Sequence, residues 1–194
     1  MKMITKTLLV LGIAALGVTP LQAKPTKDIT HVAYREAMTN DGVELDAAGT
    51  VTVSESVQGN ANHQKLDVLA TGLTPSSDYD IVVNVNGVGS TDLGTFTTDG
   101  KGRLAAHLNN KSNGKKTVAL PDGFDLSQVI GLDVVDASST PVLSVDTSNP
   151  SSLKYLAQRN LNNGGTANGV VRVQSANGKT KYSLNGTGLD ASQD

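Results

Sequence analysis

Apolar residues recur at every second position along most of this chain. Successive strand side chains point to opposite faces, so that period is the mark of a half-buried β-strand. Val51 and Val53 alternate with Thr50 and Thr52, and Leu66, Val68 and Ala70 with Lys65 and Asp67. Tyr79, Ile81, Val83 and Val85 share one face of the next segment. Leu93 with Phe96, then Leu104, Ala106 and Leu108, then Ile130, Leu132 and Val134 continue the pattern. Val171 with Val173 and Tyr182 with Leu184 close it.

Turn chemistry separates these runs. Asn86-Gly87, Asp99-Gly100, Asn113-Gly114, Asp122-Gly123, Asn163-Gly164, Asn168-Gly169 and Asn177-Gly178 all supply residues that accept a positive φ, as tight hairpins demand. Asn177-Gly178 is the cleanest hairpin signal. Asp99–Gly102 predicts a second hairpin joining 94–98 to 103–108, and Asp136–Pro141 a third. One segment reads as a helix. Asn149-Pro150 resembles an N-cap followed by a first-turn proline, and Leu153, Leu156, Ala157 and Asn160 or Leu161 recur at helical spacing before Asn163-Gly164.

The chain also echoes itself. Gly49-Thr50-Val51-Thr52-Val53 is similar to Gly169-Val170-Val171-Arg172-Val173. Thr71-Gly72-Leu73 is similar to Thr187-Gly188-Leu189, with a four-residue difference in spacing. Residues 49–78 and 169–194 therefore read as a partial internal duplication within one domain.

Residues 1–23 are expected to lie outside that domain. Lys2 and Lys6 precede the uncharged run Leu8–Val18, and Leu21-Gln22-Ala23 ends in a small residue. This is the layout of a secretory signal peptide cut after Ala23, which places the mature protein, 24–194, in the periplasm or outside the cell. The run is too short to span a bilayer comfortably, which takes about 20 residues, and no later segment is long and apolar enough. There is no cysteine, so disulfides, thiolate metal sites and a cysteine nucleophile are excluded together. Removing the leader leaves fourteen basic residues against eighteen acidic ones, a net charge of −4. A mildly acidic chain without a basic block is not built for nucleic acid.

The stretch Leu69-Ala70-Thr71-Gly72-Leu73-Thr74-Pro75-Ser76-Ser77-Asp78-Tyr79-Asp80-Ile81-Val82-Val83 resembles a strand-turn-strand segment of the fibronectin type III and immunoglobulin-like β-sandwich superfamily. There a Gly-Leu-x-Pro turn is followed four residues later by a tyrosine whose ring enters the core. Its hydroxyl bonds back to the turn, the tyrosine corner. Pro75 and Tyr79 hold those positions here. The resemblance implies a sandwich-like packing and a corner role for Tyr79. It carries over neither a strand order nor an adhesive site.

Reactive groups are scattered. His31, His63 and His107 are far apart, and His107 falls on the face opposite Leu104, Ala106 and Leu108, so it is expected to face solvent. Ser151-Ser152-Leu153-Lys154 contains Ser-x-x-Lys, yet the partner motifs of that enzyme class are missing. Asp133 with Asp136 and Asp78 with Asp80 could act as acid and base only if folding paired them usefully. Asp41, Glu44 and Asp46 cluster oxygen ligands and are weak calcium candidates; no other cofactor is implied.

The sequence thus predicts an all-β, antiparallel β-sandwich of immunoglobulin-like packing with one short helix. Its expected role is that of an exported, non-catalytic structural or adhesive module. Its partner would be an envelope protein, an envelope polysaccharide or another copy of itself. Two alternatives are a small-ligand or polysaccharide-binding domain, with calcium possible, and a hydrolase or inhibitor whose site leaves no motif.

Overall fold

A computed structural model describes residues 28–111, 117–162 and 168–187, and each alternating segment in them forms a strand. In chain order these are β1 (Ile29–Asn40), β2 (Ala48–Gln58), β3 (Ala61–Thr71), β4 (Asp78–Val85), β5 (Gly89–Thr97), β6 (Leu104–Asn109), β7 (Val118–Ala119), β8 (Val129–Val135), β9 (Pro141–Asp146), β10 (Lys154–Asn162), β11 (Asn168–Ala176) and β12 (Lys179–Thr187). Every ladder is antiparallel except the short parallel pair β6–β7. The 3-10 turn Leu126–Gln128 is the only helical element among the described residues. The expected signal peptide, 1–23, lies outside them.

One hydrogen-bonded path runs β5-β4-β8-β9-β1-β2-β3-β6-β7. Its two arms come back toward each other. β5 and β6 are consecutive in the chain and touch, although no ladder joins them. The result is a strongly curled half-barrel rather than two stacked sheets, which corrects the expected clear sandwich. The physical reason lies in β1. Its twelve residues pair with β2 along almost their whole length. On its other side, Ile29–Ala33 pair with β10 and Thr39–Asn40 with β9. A strand that bonds to both arms joins them edge to edge. Register shifts at Asp80/Val82, Asn84/Val85 and Val134/Val135 add the local twist that bulges produce.

The inner face of the curl is the core. Val51, Val53, Leu66, Val68, Ile81, Val83, Leu108, Val134, Val142 and Leu143 are buried there with Tyr34, Met38 and Tyr79. Leu126, set by the 3-10 turn that Asp125 caps at Ser127 N–H (2.9 Å), is buried among them.

Where β1 leaves β10 and has not yet met β9, its backbone is sealed by a side chain. The Ser152 hydroxyl accepts from Arg35 N–H at 2.8 Å and donates to the Arg35 carbonyl at 2.5 Å. Glu36 holds that turn in place, accepting from Ser152 N–H at 2.9 Å and from the Ser151 hydroxyl at 2.8 Å.

Two sequence expectations fail here. Residues 154–162 form β10, not a helix. Tyr155, Ala157, Arg159 and Leu161 fit a period of two as well as the leucines and alanine fit a helical one, and ladders to both β1 and β11 decide the matter. The Asp99–Gly102 turn exists, but β5 and β6 on either side pair with β4 and β3 instead of with each other. It is the link between the two arms. The predicted hairpins at Asn177-Gly178 and Asp136–Pro141 are present as β11–β12 and β8–β9.

The internal echo has a register. Ala48 faces Thr71 across β2–β3, and Asn168 faces Thr187 across β11–β12. The four-residue difference in spacing is a second hairpin with each arm two residues shorter (nine against eleven). The remainder of the second segment, 188–194, lies outside the described residues.

Candidate interaction surface

Strands β10, β11 and β12 form a three-stranded ribbon carried on the first half of β1. Directly opposed residues share a face. Tyr182 opposes Val173, Leu184 opposes Val171, and these oppose Ala157 and Arg159 of β10. Tyr155 opposes Val32 of β1, two residues before the core residue Tyr34. The apolar face of the ribbon therefore continues the inner face of the half-barrel beyond its core. Nothing among the described residues covers it at the far end. Tyr182 is 76% exposed and Leu184 69%, and Leu161 is exposed with them.

The duplicated register makes the contrast sharp. In the first hairpin the positions matching Tyr182 and Leu184 are Leu66 and Val68, both fully buried. There β3 is paired on its outer side by β6. In the second hairpin, among the described residues, β12 is paired only by β11. The second hairpin thus has the side-chain pattern of a core hairpin and an open edge.

The ribbon's other face is polar and cationic. Gln158 is buried and accepts from the Arg172 guanidinium at 3.1 Å, and Lys179 and Lys181 lie on the same face as Arg172 and Gln174. From Lys154 to Thr187 there are five basic residues and no acidic one. The rest of the chain holds eleven basic residues against eighteen acidic ones. A whole-chain average hid this block, which is why the sequence reading found no basic segment. The complementary bias sits in the β4–β5 hairpin. Asp78–Thr97 contains Asp78, Asp80 and Asp92 and no basic residue.

Two of the three calcium candidates accept hydrogen bonds within the fold. Glu44 takes the hydroxyl of Tyr79 at 2.5 Å and that of Thr74 at 2.9 Å on one oxygen, and Thr74 N–H at 2.9 Å on the other. Asp41 accepts from the Ser144 hydroxyl at 3.0 Å, and Asp46 is exposed. Among the described residues no three His, Asp or Glu side chains come together as a metal site. Tyr79 is 2% exposed. Its hydroxyl accepts from Thr74 N–H at 3.1 Å, so it closes over the turn that holds Pro75. Burial, and then the Glu44 carboxylate, push its pKa above 10.

The remaining polar candidates also make hydrogen bonds within the fold. Asp78 and Asp80 each take a threonine hydroxyl of β5, from Thr97 and Thr95 at 2.5 Å. Asp136 caps its own turn at Ser138 and Thr140 N–H, both at 2.9 Å. His107 lies on the outer face as predicted and meets Asp67 at 2.7 Å. His63 meets Lys111 at 3.0 Å. Ser151 and Ser152 bind Glu36 and β1, not Lys154.

One group of residues escaped the sequence reading because its members are distant in the chain. Ser144 beside Asp41, and Asp133 beside Asn84 (3.3 Å), with Ser90 donating to Asn84 at 2.8 Å, make a polar row across the outer face. Asp133 is half-buried, and desolvation raises its pKa. A shallow cleft of about 400 Å³ lies elsewhere, lined by Asn62, Gln64, Asn110 and Leu120–Asp125. It contains none of this row.

No protein-family model matches the chain, and no curated protein matches it significantly.

Proposed function

We propose that this chain is an exported, non-catalytic structural or adhesive module of the cell envelope or extracellular matrix. The observation that carries this reading is the uncovered apolar face of the β10–β12 ribbon. Exposed apolar residues gathered on one sheet face, here Tyr182, Leu184 and Leu161, are the kind of surface that a partner covers. The use of acidic and hydroxyl side chains as turn caps and cross-strand ties agrees with it. The leader-like residues 1–23 support the exported location, and the resemblance around Gly72–Val83 bears on the fold and not on the role.

The test is fractionation of the chain expressed from its own leader in a Gram-negative host. This reading expects a processed protein that starts near Lys24 and sediments with the envelope or matrix. Recovery of an unprocessed cytoplasmic chain would overturn it. So would turnover of ester, glycoside or peptide substrates by the purified protein.

A further inference from the structure

We infer that the ribbon of one copy docks on the β4–β5 hairpin of a second copy, so that copies join head to tail. This rests on the reading of the chain as an interaction module and names its partner. Three observations carry it.

The first is that two edges are open. Among the described residues β12 is paired on one side only, and β5 ends the hydrogen-bonded path, touching β6 without a ladder. An edge strand presents unpaired N–H and C=O groups that a second strand can complete.

The second is charge. The five cations and no anions of Lys154–Thr187 match the three anions and no cations of Asp78–Thr97. Two ribbons facing each other would bring like charges together, whereas a ribbon on the acidic hairpin brings opposite ones.

The third is that the faces agree. On β12, Tyr182 and Leu184 share one face and Lys179 and Lys181 the other. On β5, Leu93 is buried and Phe96 packs on the core, while Thr95, Thr97 and Asp92 lie outside beside Asp80, Asp78 and Val82. With β12 laid along β5, its apolar pair falls on the face of Leu93 and Phe96, and its lysines fall on the face that carries Asp92 and, one strand further in, Asp78 and Asp80. Contact between two different surfaces of the same chain leaves one of each free at the ends, so the assembly is open and grows with concentration.

The test uses two variants of the mature chain, each first checked for an unchanged melting profile. Lys179→Glu/Lys181→Glu disables the ribbon, and Asp78→Lys/Asp92→Lys disables the hairpin. Sedimentation velocity at low salt should show the wild type growing into oligomers with concentration, and each variant alone staying monomeric. Mixed in equal amounts, the variants should grow into oligomers again, since the unchanged ribbon of the Asp variant meets the unchanged hairpin of the Lys variant and the two reversed surfaces are once more opposite in charge. Mixtures that stay monomeric while the wild type assembles would overturn head-to-tail docking. Normal assembly by the Asp variant alone would instead indicate symmetric ribbon pairing and also overturn it. A wild type that is monomeric at every concentration, yet sediments with the envelope, would refute this inference and leave the interaction-module reading standing.

Discussion

The Tyr79 hydroxyl donates to the Glu44 carboxylate across 2.5 Å, and this bond ties the start of β4 to the loop that leads into β2. Thr74 N–H is shared between the same two side chains, at 3.1 Å from Tyr79 and 2.9 Å from Glu44. Tyr79→Phe keeps the ring in the core and removes only the hydroxyl. It should cost about 1 kcal/mol, the usual net worth of one hydrogen bond. Glu44→Ala removes all three bonds and should cost more. Urea unfolding of the two variants checks the order, and equal losses would show that Glu44 contributes nothing beyond its bond to Tyr79.

Close approach at Gly72 makes a second prediction. Its φ is +74°, and a Cβ there would be driven into the Asp46 carbonyl. Gly87 has nearly the same φ, +72°, and open space around it. Gly87→Ala should pay only the left-handed strain of about 1–2 kcal/mol, lowering the melting temperature by about 2–8 °C. Gly72→Ala carries the same strain plus a clash with backbone. It should melt well below Gly87→Ala or fail to accumulate as folded protein.

The sealing of β1 by Ser152 gives a third. Ser152→Ala leaves Arg35 N–H and C=O without their side-chain partner and should cost about 1 kcal/mol. It should also change the acid limb. Ser152 N–H first, and then the serine hydroxyls, hold the Glu36 pKa below its ordinary 4.5. A carboxylate depressed in the folded state contributes stability above its unfolded pKa and loses it as pH falls through the folded value. The wild type should therefore lose stability on acidification below about pH 4.5, and Glu36→Gln should flatten that loss. Parallel acid titrations by circular dichroism check it.

The alkaline limb has the opposite sign. Burial raises the pKa of Tyr34 and of Tyr79 above 10, with nearby glutamates adding to the shift in each. A phenol raised in the folded state contributes stability that is complete below the unfolded pKa and is lost as pH rises through the folded value. Stability should fall steadily above about pH 10, and Tyr79→Phe should remove part of that slope. Ultraviolet titration at 295 nm should show tyrosine ionisation coupled to unfolding.

Much of the fold is legible in the sequence. Strands appear wherever a period of two is unopposed, as at Val51–Val53, Leu66–Ala70 and Tyr79–Val85. Hairpins appear where Asn-Gly supplies two positive φ values, as at Asn177 (52°) and Gly178 (70°). What is not legible is decided by partners. Lys154–Asn162 satisfies both periods, and only the β1 and β11 ladders choose between them. The turn at Asp99–Gly102 is local, but whether its flanking strands pair depends on β3 and β4 being there first. The curl follows from β1 being long enough to bond to both arms, which no local pattern announces. The exposed ribbon was hidden for a different reason. Val171, Val173, Tyr182 and Leu184 read as core, because alternation reports amphipathicity and not what covers the apolar side.

That uncovered face is the centre of the account, and the variant Tyr182→Ser/Leu184→Ser addresses it most directly. Melting temperature and envelope retention should be measured together on the full chain. The melting temperature should stay within about 2 °C of the wild type, since exposed positions contribute little to stability, and the protein should be released from the envelope fraction. A loss of several kcal/mol, as expected for deleting buried core side chains, would contradict it. So would a stable variant retained as strongly as the wild type.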